Sequence, residues 1–214
     1  MDFDNDIYRL YQELLKKHGN PKEYWPQWCA NRKTEKLREI IAIGAILVQR
    51  SSWNNADISL RNLKSRGLLS LSAISRLKSS DELVNLIRPS GFYQTKPKRL
   101  TGFAGFVVKQ SGGINKLLAE DLSITREKLL SLYGIGEETA DVILLYALDK
   151  PSFVIDEYTR RLVKTLKLTN DLSYSHLKSL FENSLPKDVK IYQNYHALII
   201  IEQRGKNASI MRKV

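Results

Sequence analysis

Hydrophobic residues recur along this chain every three or four positions, which is the spacing that places side chains on one face of a helix. Residues 4–17 show this spacing first. Residues 34–49 are apolar almost throughout, which predicts a largely buried helix with Thr34 as its N-cap. The same pattern predicts further helices at 56–66, 70–78, 80–87, 123–132, 139–148, 156–166, 173–185 and 191–203, and one that ends at Gln110.

Glycine and proline mark the places where these helices are interrupted. Residues 88–100 contain Pro89, Gly91 and Pro97, so we expect no regular structure there. A Gly-Gly pair at 112–113 marks a second break. No alternation of apolar and polar residues of the kind that predicts strands persists in the sequence. The predicted fold class is therefore all-α.

The charge of the chain narrows the choice of partner. Thirty-four Lys and Arg residues against 23 Asp and Glu residues give a net charge of +11. Such a field attracts polyanions, which favours nucleic acid but leaves an acidic membrane surface or an acidic protein open. No apolar run approaches the ~20 residues that span a bilayer, and the first ten residues lack the order of a signal peptide. We expect no membrane partner and a cytoplasmic protein, nucleoid-associated if prokaryotic.

Few side chains of this sequence could bind a transition metal. A single cysteine, Cys29, excludes an intramolecular disulfide and a four-cysteine iron–sulfur cluster, and we expect it to be a small buried residue. The three histidines, His18, His176 and His196, are far apart in sequence and show no paired metal-ligand spacing. We predict no metal centre.

Residues 125–148 predict two helices joined by a short turn, Leu132-Tyr133-Gly134-Ile135-Gly136. Gly134 and Gly136 let the backbone turn sharply and approach another surface, while Ile135 can fill the gap between the helices. Amide N–H groups at the start of the second helix would then be exposed, and a helix N-terminus favours an anion such as phosphate. An ordinary αα-corner with a glycine-containing turn would show the same spacing.

An apolar segment, residues 151–155, leads into Asp156, and Tyr158 continues into the next predicted helix. Asp156 is therefore predicted to cap that helix, with its carboxylate beside the hairpin. Taken alone, Asp156 would be interpreted as a simple N-cap. Next to a phosphate-binding turn, it becomes a candidate catalytic carboxylate.

The sequence LYGIGEETADVILLYAL, followed by PSFVIDEYTRRL, resembles the helix-hairpin-helix and Gly/Pro…Asp motif of the endonuclease III superfamily of DNA glycosylases. The resemblance covers roughly residues 34–206 and includes RPSGFYQTKPKRL at 88–100. It implies a protein that removes a damaged base from double-stranded DNA, with Asp156 as the catalytic carboxylate, which stabilises the sugar cation, positions water, or both.

The resemblance also implies an architecture of two helical lobes with a cleft between them. One lobe would comprise residues 1–34 and 111–214, and would carry Asp156 and the second half of the hairpin motif. The other would comprise residues 35–150 and would include the hairpin, so the two approximate ranges overlap.

Two departures from the superfamily pattern narrow the expected activity. Bifunctional members carry a lysine two residues after the second glycine of the hairpin, and this lysine attacks the sugar. Here that position is Glu138, which cannot form an imine, so β-lyase strand cleavage should be absent. Residues 196–214 also contain no cysteine. With EYWPQW at 23–28, these features most resemble the monofunctional 3-methyladenine branch without an iron–sulfur cluster. We expect no cofactor, while a monovalent cation at the hairpin stays open.

A glycosylase must extrude its target nucleotide, fill the gap and hold the backbone. Gln49, with Arg50 as second choice, is the expected intercalating residue, although Gln49 could also be a polar cap. The expected phosphate-binding residues are Gly134, Gly136, Glu138 and Thr139 of the hairpin, together with Lys96, Lys98 and Arg99 of the mid-chain loop. Any single basic residue could equally be a solvated charge. The side chains of Glu137 and Glu138 should point away from the phosphate.

The expected base pocket is aromatic. Its candidate residues are Tyr24, Trp25, Trp53, Glu138 and Lys206, whereas Trp28 is expected to be a core residue. A cation over an aromatic face gains about 0.5–2 kcal/mol, which favours a cationic alkylated purine over a neutral base.

Other activities fit parts of the same pattern. A monofunctional enzyme for uracil, or for thymine opposite guanine, would differ mainly in the pocket. A bifunctional glycosylase and AP lyase would need a lysine elsewhere in the chain. A non-catalytic helix-hairpin-helix DNA-binding protein would need no acid at position 156. In each case we expect a monomer.

Overall fold

The computed structural model describes residues 5–204, and in that range the chain forms helices and no strands. The α-helices are α1 (Asp6–His18), α2 (Glu35–Leu47), α3 (Trp53–Ser65), α4 (Leu71–Ser75), α5 (Val84–Ile87), α6 (Lys96–Gly105), α7 (Ile114–Ala119), α8 (Leu122–Leu130), α9 (Glu137–Val142), α10 (Glu157–Leu166), α11 (Tyr174–Ser184) and α12 (Val189–Arg204). The predicted all-α class is confirmed.

Shorter turns of other helical types join or extend these elements. Three 3₁₀ turns span Pro21–Glu23, Ser80–Leu83 and Arg88–Ser90. Two π-helical turns extend α6 and α9, over Phe106–Gln110 and Ile143–Ala147 respectively. A π turn widens the helix by one residue per turn and is often found near functional sites.

Side-chain caps explain where most of the helices begin. The Thr34 hydroxyl accepts a hydrogen bond from the amide of Leu37, which confirms the predicted start of α2. One start differs from the prediction: α6 begins at Lys96, inside the segment expected to be irregular, because Pro97 lies in the first turn, where its missing N–H costs nothing. Helix α7, after the Gly-Gly pair, was not predicted, because six residues are too few to show a helical period.

The core is organised around α2, whose residues from Ile40 to Leu47 are all buried. This helix packs against α3, α6, α7, α9 and the π turn Ile143–Ala147. The first helix of the chain packs against α11 and the last described helix, α12, which also contacts α10. Chain segments from both ends are thereby brought next to the segment that carries Asp156.

Within residues 5–204, no helix combines the length and the hydrophobicity needed to cross a membrane. Over the same residues, His, Cys, Asp and Glu side chains form no group of three or more that could hold a metal ion.

Candidate active site

The hairpin predicted from residues 125–148 joins α8 to α9. Ile135 is buried between the helices, as predicted. Gly134 has a φ of +75° and lies directly against the Arg99 side chain, so a Cβ there would strain the backbone and strike Arg99. Gly136, in contrast, has an ordinary extended conformation with open space around its Cα. Gly134 therefore serves the turn itself, and Gly136 leaves room for a molecule outside it.

Gln49 is held on this hairpin by its own amide group. Its Nε2 donates to the carbonyl of Gly134 and to the hydroxyl of Thr139, both at 2.9 Å, and its Oε1 accepts from Arg99 at 2.5 Å. Entering a duplex would break all three hydrogen bonds. Arg50, the second choice of intercalating residue, is exposed and has a φ of +48°, so which of the two enters the duplex stays a prediction.

The predicted phosphate-binding lysines divide into one that is accessible and one that is not. Lys98 is exposed. Lys96 is fully buried, and its Nζ donates to the carbonyls of Leu47 and Ser90, both at 2.6 Å. Burial, with the charge of Arg99, lowers the pKa of Lys96 to about 8. Lys96 as a phosphate ligand is wrong, because its ammonium group closes the C-terminal end of α2 instead.

Asp156 is the N-cap of α10, and its carboxylate is almost completely buried. Its Oδ1 accepts hydrogen bonds from the amide of Thr159 at 2.8 Å and from the hydroxyl of the same residue at 3.0 Å. Its Oδ2 lies 3.4 Å from Nε2 of His196. Burial raises the pKa of Asp156, but His196 and the two bonds from Thr159 outweigh that effect, and the net shift is downward.

Asp156 lines a cavity of about 330 Å³ whose wall includes all three tryptophans of the chain. Trp25, Trp28 and Trp53 all contribute to it, and the rings of Trp28 and Trp53 meet edge to face at 4.4 Å between centroids. Tyr24 is half-buried and does not line this cavity, so its place in the predicted pocket is corrected. Trp28 is buried as predicted, yet it also forms part of the wall. Lys206 lies outside the described residues.

A second cavity, of about 590 Å³, opens beside the hairpin, and Glu138 lies between the two. Gly136, Thr139, Arg50 and Arg99 line this second cavity. Although the Glu138 side chain is exposed, desolvation by the surrounding protein raises its pKa, and the negative charge of Asp156 raises it further. Glu138 faces both cavities rather than pointing away from the hairpin.

Sequence reasoning missed two residues at this site. His196, on α12, lies beside Asp156, yet its neighbours in sequence form the apolar face of a buried helix. Phe92 lines the second cavity, is half exposed and has a φ of +48°. An exposed aromatic residue in a left-handed conformation costs free energy, which the sequence alone could not reveal.

Cys29, the only cysteine of the chain, is buried, and burial raises the pKa of its thiol to about 12. A four-cysteine iron–sulfur cluster therefore does not fit this chain.

These features match a known group of proteins. A family profile described as the HhH-GPD superfamily of base excision DNA repair proteins matches residues 43–187, a range that contains the hairpin, both glycines and Asp156. The chain belongs to this superfamily. As an HhH-GPD base excision repair glycosylase, it has DNA as its partner.

Two similar proteins share most of the length of this HhH-GPD chain. A Methanocaldococcus jannaschii protein, assigned as a DNA repair glycosylase, is 42% identical over 197 residues, which cover 91% of this chain and 85% of that protein. The structure of an H. pylori 3-methyladenine DNA glycosylase bound to 1,N6-ethenoadenine superimposes with a TM-score of 0.77 at 26% identity, covering 94% of this chain and 98% of that one.

A more distant structure shares the fold of this HhH-GPD protein. It is a trapped covalent intermediate of endonuclease III with DNA, with a TM-score of 0.69 at 18% identity, over 91% of this chain and 83% of that one.

Proposed function

We propose that this protein is a monofunctional DNA glycosylase that hydrolyses the N-glycosidic bond of an alkylated base, of the 3-methyladenine type, in double-stranded DNA. The observation that carries the proposal is the placement of a buried carboxylate, Asp156, in the wall of an aromatic cavity next to a helix-hairpin-helix turn. The cavity would receive the extruded base, and the hairpin turn would bind the DNA backbone beside the extruded nucleotide.

Loss of the base leaves a cation on the sugar, which resembles the transition state that glycosidases stabilise with carboxylates. Asp156 is fixed for this task, because Thr159 holds Oδ1 through two hydrogen bonds. At about 4 Å and an effective dielectric constant near 20, a carboxylate stabilises a unit positive charge by about 4 kcal/mol. That energy corresponds to about a thousandfold in rate.

The aromatic wall favours a cationic base. Trp53, which is only partly buried, would offer a ring face to a base that enters the cavity, while Trp25 is fully buried behind it in the wall. A cation–π contact is worth about 0.5–2 kcal/mol more for a cationic base than for a neutral one. The similarity to the H. pylori 3-methyladenine enzyme, which is shown with a modified adenine, supports the same substrate class.

Glu138 supports a monofunctional reaction. A carboxylate cannot form the imine that couples base removal to strand cleavage, and Glu138 occupies the hairpin position that faces both cavities. The product would then be an intact strand with an abasic site. No metal and no cofactor are assigned to the reaction.

DNA contacts would come from the surface around the second cavity. The first amides of α9 have no partners inside the helix, and Gly136 leaves them open to a phosphate. Lys98 is exposed for a second phosphate contact. Arg50 and Phe92, both exposed and both in left-handed conformations, would enter the duplex where the base has left the stack.

A panel of duplexes tests the proposal. Duplexes carrying 3-methyladenine, 1,N6-ethenoadenine, uracil opposite guanine, or thymine opposite guanine would each be incubated with the protein and scored for released base. We expect release from the alkylated duplexes, and strand breaks only after treatment with hot alkali. Release restricted to uracil or thymine would overturn the substrate class, and breaks without alkali would overturn the monofunctional assignment.

A further inference from the structure

His196 connects the candidate catalytic carboxylate to a buried tyrosine. Its Nε2 lies 3.4 Å from Oδ2 of Asp156, and its Nδ1 lies 2.8 Å from the hydroxyl oxygen of Tyr146. The same hydroxyl lies 3.1 Å from the carbonyl oxygen of Gln193. Both His196 and Tyr146 are buried. The Nε2···Oδ2 pair is within ion-pair distance but is not aligned as a hydrogen bond, so Nε2 has no hydrogen-bond partner among the described residues.

Counting hydrogen-bond donors shows where the protons of His196 and Tyr146 lie. Tyr146 has one hydroxyl proton and two acceptors within reach. If it donates to Nδ1 of His196, the neutral imidazole carries its proton on Nε2, which faces Asp156. If it donates to Gln193 instead, Nδ1 must be the donor to the tyrosine oxygen. A bare Nε2 lone pair would then face a carboxylate, which is repulsive, so Nε2 would need a proton too and the ring would be cationic. Nε2 therefore carries a proton in either arrangement.

We propose that His196 is a positioning residue for base excision, and that its neutral form with the proton on Nε2, selected by the Tyr146 hydroxyl, is the active form. In this form the Nε2–H dipole faces Oδ2 of Asp156 while Thr159 holds Oδ1, and the carboxylate keeps its full negative charge. The proposal rests on the proposed function, because it assigns a role in that reaction.

Protonation of His196 should have the opposite effect. A fixed imidazolium at 3.4 Å from Asp156 would compete with the sugar cation for the same carboxylate and reduce the stabilisation of the transition state. The lowered pKa of Asp156 keeps that group ionised in the pH range where histidines titrate. Excision should therefore slow when the His196 ring becomes protonated.

Other titratable and charged groups surround this pair. Glu138 acts electrostatically on both Asp156 and His196, from the start of α9. Arg160 and Glu157, from α10, act on Glu138. Cys29 acts on Tyr146, and the Trp25 ring meets the imidazole edge to face at 6.3 Å between centroids. Of these groups, Glu138 is the one that could produce an acid limb of its own, so it needs a separate variant.

The first test is a pH profile of single-turnover base release. Wild-type protein, in excess over a duplex with 3-methyladenine, should release base more slowly at acidic pH, where the His196 ring is protonated. His196→Gln should lower the rate at pH 7.5 by about tenfold without weakening DNA binding, and the acid limb should disappear. Glu138→Gln should keep the limb. His176→Gln, which changes an exposed histidine, is the matched control and should behave as wild type.

A second measurement reads the ring itself and does not depend on activity. The chain has three histidines, so their imidazole nitrogen signals in a nuclear magnetic resonance spectrum can be assigned with one variant each. Neutral His196 should carry its proton on Nε2 in wild type, and Tyr146→Phe should change the Nδ1 signal, because Nδ1 loses the hydroxyl that faces it. A neutral ring protonated on Nδ1 in wild type would overturn the proposal.

The two tests also separate this proposal from the proposed function. Wild-type protein that releases no base from any duplex contradicts the function, and the ring measurement then still decides the proton arrangement. A His196→Gln variant that releases base with an unchanged pH profile contradicts only the role of His196.

Discussion

Asp156 has two roles in this molecule, because one carboxylate caps α10 and lines the aromatic cavity. Asparagine is as good an N-cap as aspartate, and its side-chain oxygen can still accept both bonds from Thr159. The capping role and the electrostatic role can therefore be separated by a single substitution.

Asp156→Asn should keep the fold and the affinity for DNA, while excision falls by about a hundredfold to a thousandfold, the share expected of one charge near the sugar. The measurement is single-turnover base release at saturating enzyme, with thermal unfolding as the control for folding. Excision near the wild-type rate would remove Asp156 from the chemistry.

Lys96 and Lys98 are two positions apart in sequence, but Lys96 stabilises the fold whereas Lys98 is expected to bind DNA. Lys96 donates to two buried carbonyls, and Lys98 is exposed. Lys96→Met should lower the free energy of unfolding by about 2–4 kcal/mol, because the two carbonyls lose their donor. Lys98→Met should leave stability unchanged and weaken DNA binding. Denaturant unfolding measures the stability of both variants, and DNA titration measures their affinity. The assignment fails if Lys96→Met weakens DNA binding without lowering stability.

At the scale of the elements, the hairpin turn contains two glycines that serve different purposes. Gly134→Ala should lower the free energy of unfolding by about 1–2 kcal/mol, the cost of a left-handed backbone for a residue with a Cβ, and the Arg99 contact adds to it.

Gly136→Ala is the matched variant. Its Cβ would meet no protein atom, so the fold should be as stable as wild type, and any loss should appear as weaker DNA binding where the phosphate approaches. Chemical denaturation and DNA titration distinguish the two outcomes. Equal destabilisation by both alanines would contradict the separate roles.

The segment that delivers Asp156 to the cavity is fixed by a buried carboxylate, Asp141. This residue has no exposed surface and accepts hydrogen bonds from Arg126 at 2.9 and 3.2 Å, from Ser152 at 2.7 Å and from Tyr174 at 2.7 Å. Lys178 lies 3.3 Å away. Asp141 thereby joins α9 to α8, to α11 and to the segment before Asp156.

Asp141→Asn should lower the free energy of unfolding by about 3–5 kcal/mol, because two cations would lose their buried counter-charge. Excision per folded molecule should also fall, since Ser152 anchors the approach to Asp156. The control is Glu137→Gln, which removes an exposed carboxylate 3.5 Å from the same Arg126 and should change stability by less than about 1 kcal/mol. Equal effects of the two substitutions would show that burial of Asp141 is unimportant.

The sequence predicted those parts of the fold that depend on local pattern. The start of α2 at its Thr34 cap, the buried Ile135 and the capping position of Asp156 were all evident from residue type and spacing. Helix α7 is too short to show a helical period, and α6 begins earlier than predicted because Pro97, which usually marks a break, lies in its first turn.

The parts of the site that were missed depend on contacts between distant residues. His196 and Asp156 are 40 positions apart, and His196 has no motif of its own. The burial of Lys96 could not be predicted either, because its two carbonyl partners belong to other segments of the chain.

At the scale of the whole molecule, the positive charge should control binding. Each phosphate that the protein neutralises releases counterions, so the logarithm of the association constant should fall linearly with the logarithm of the salt concentration. Contacts with about five phosphates would give a slope of about −4.5. Fluorescence anisotropy with an undamaged duplex measures this slope when the salt concentration is raised ~sixfold, from about 50 to about 300 mM. A slope near zero would exclude phosphate contacts as the main source of affinity.

The aromatic wall has one further consequence. The chain contains three tryptophans, and all three border the cavity that would receive the base. Their emission therefore comes entirely from the region where chemistry is expected, so the unlabelled protein should report the arrival and departure of a nucleobase by a change in its own fluorescence, in real time and without a dye.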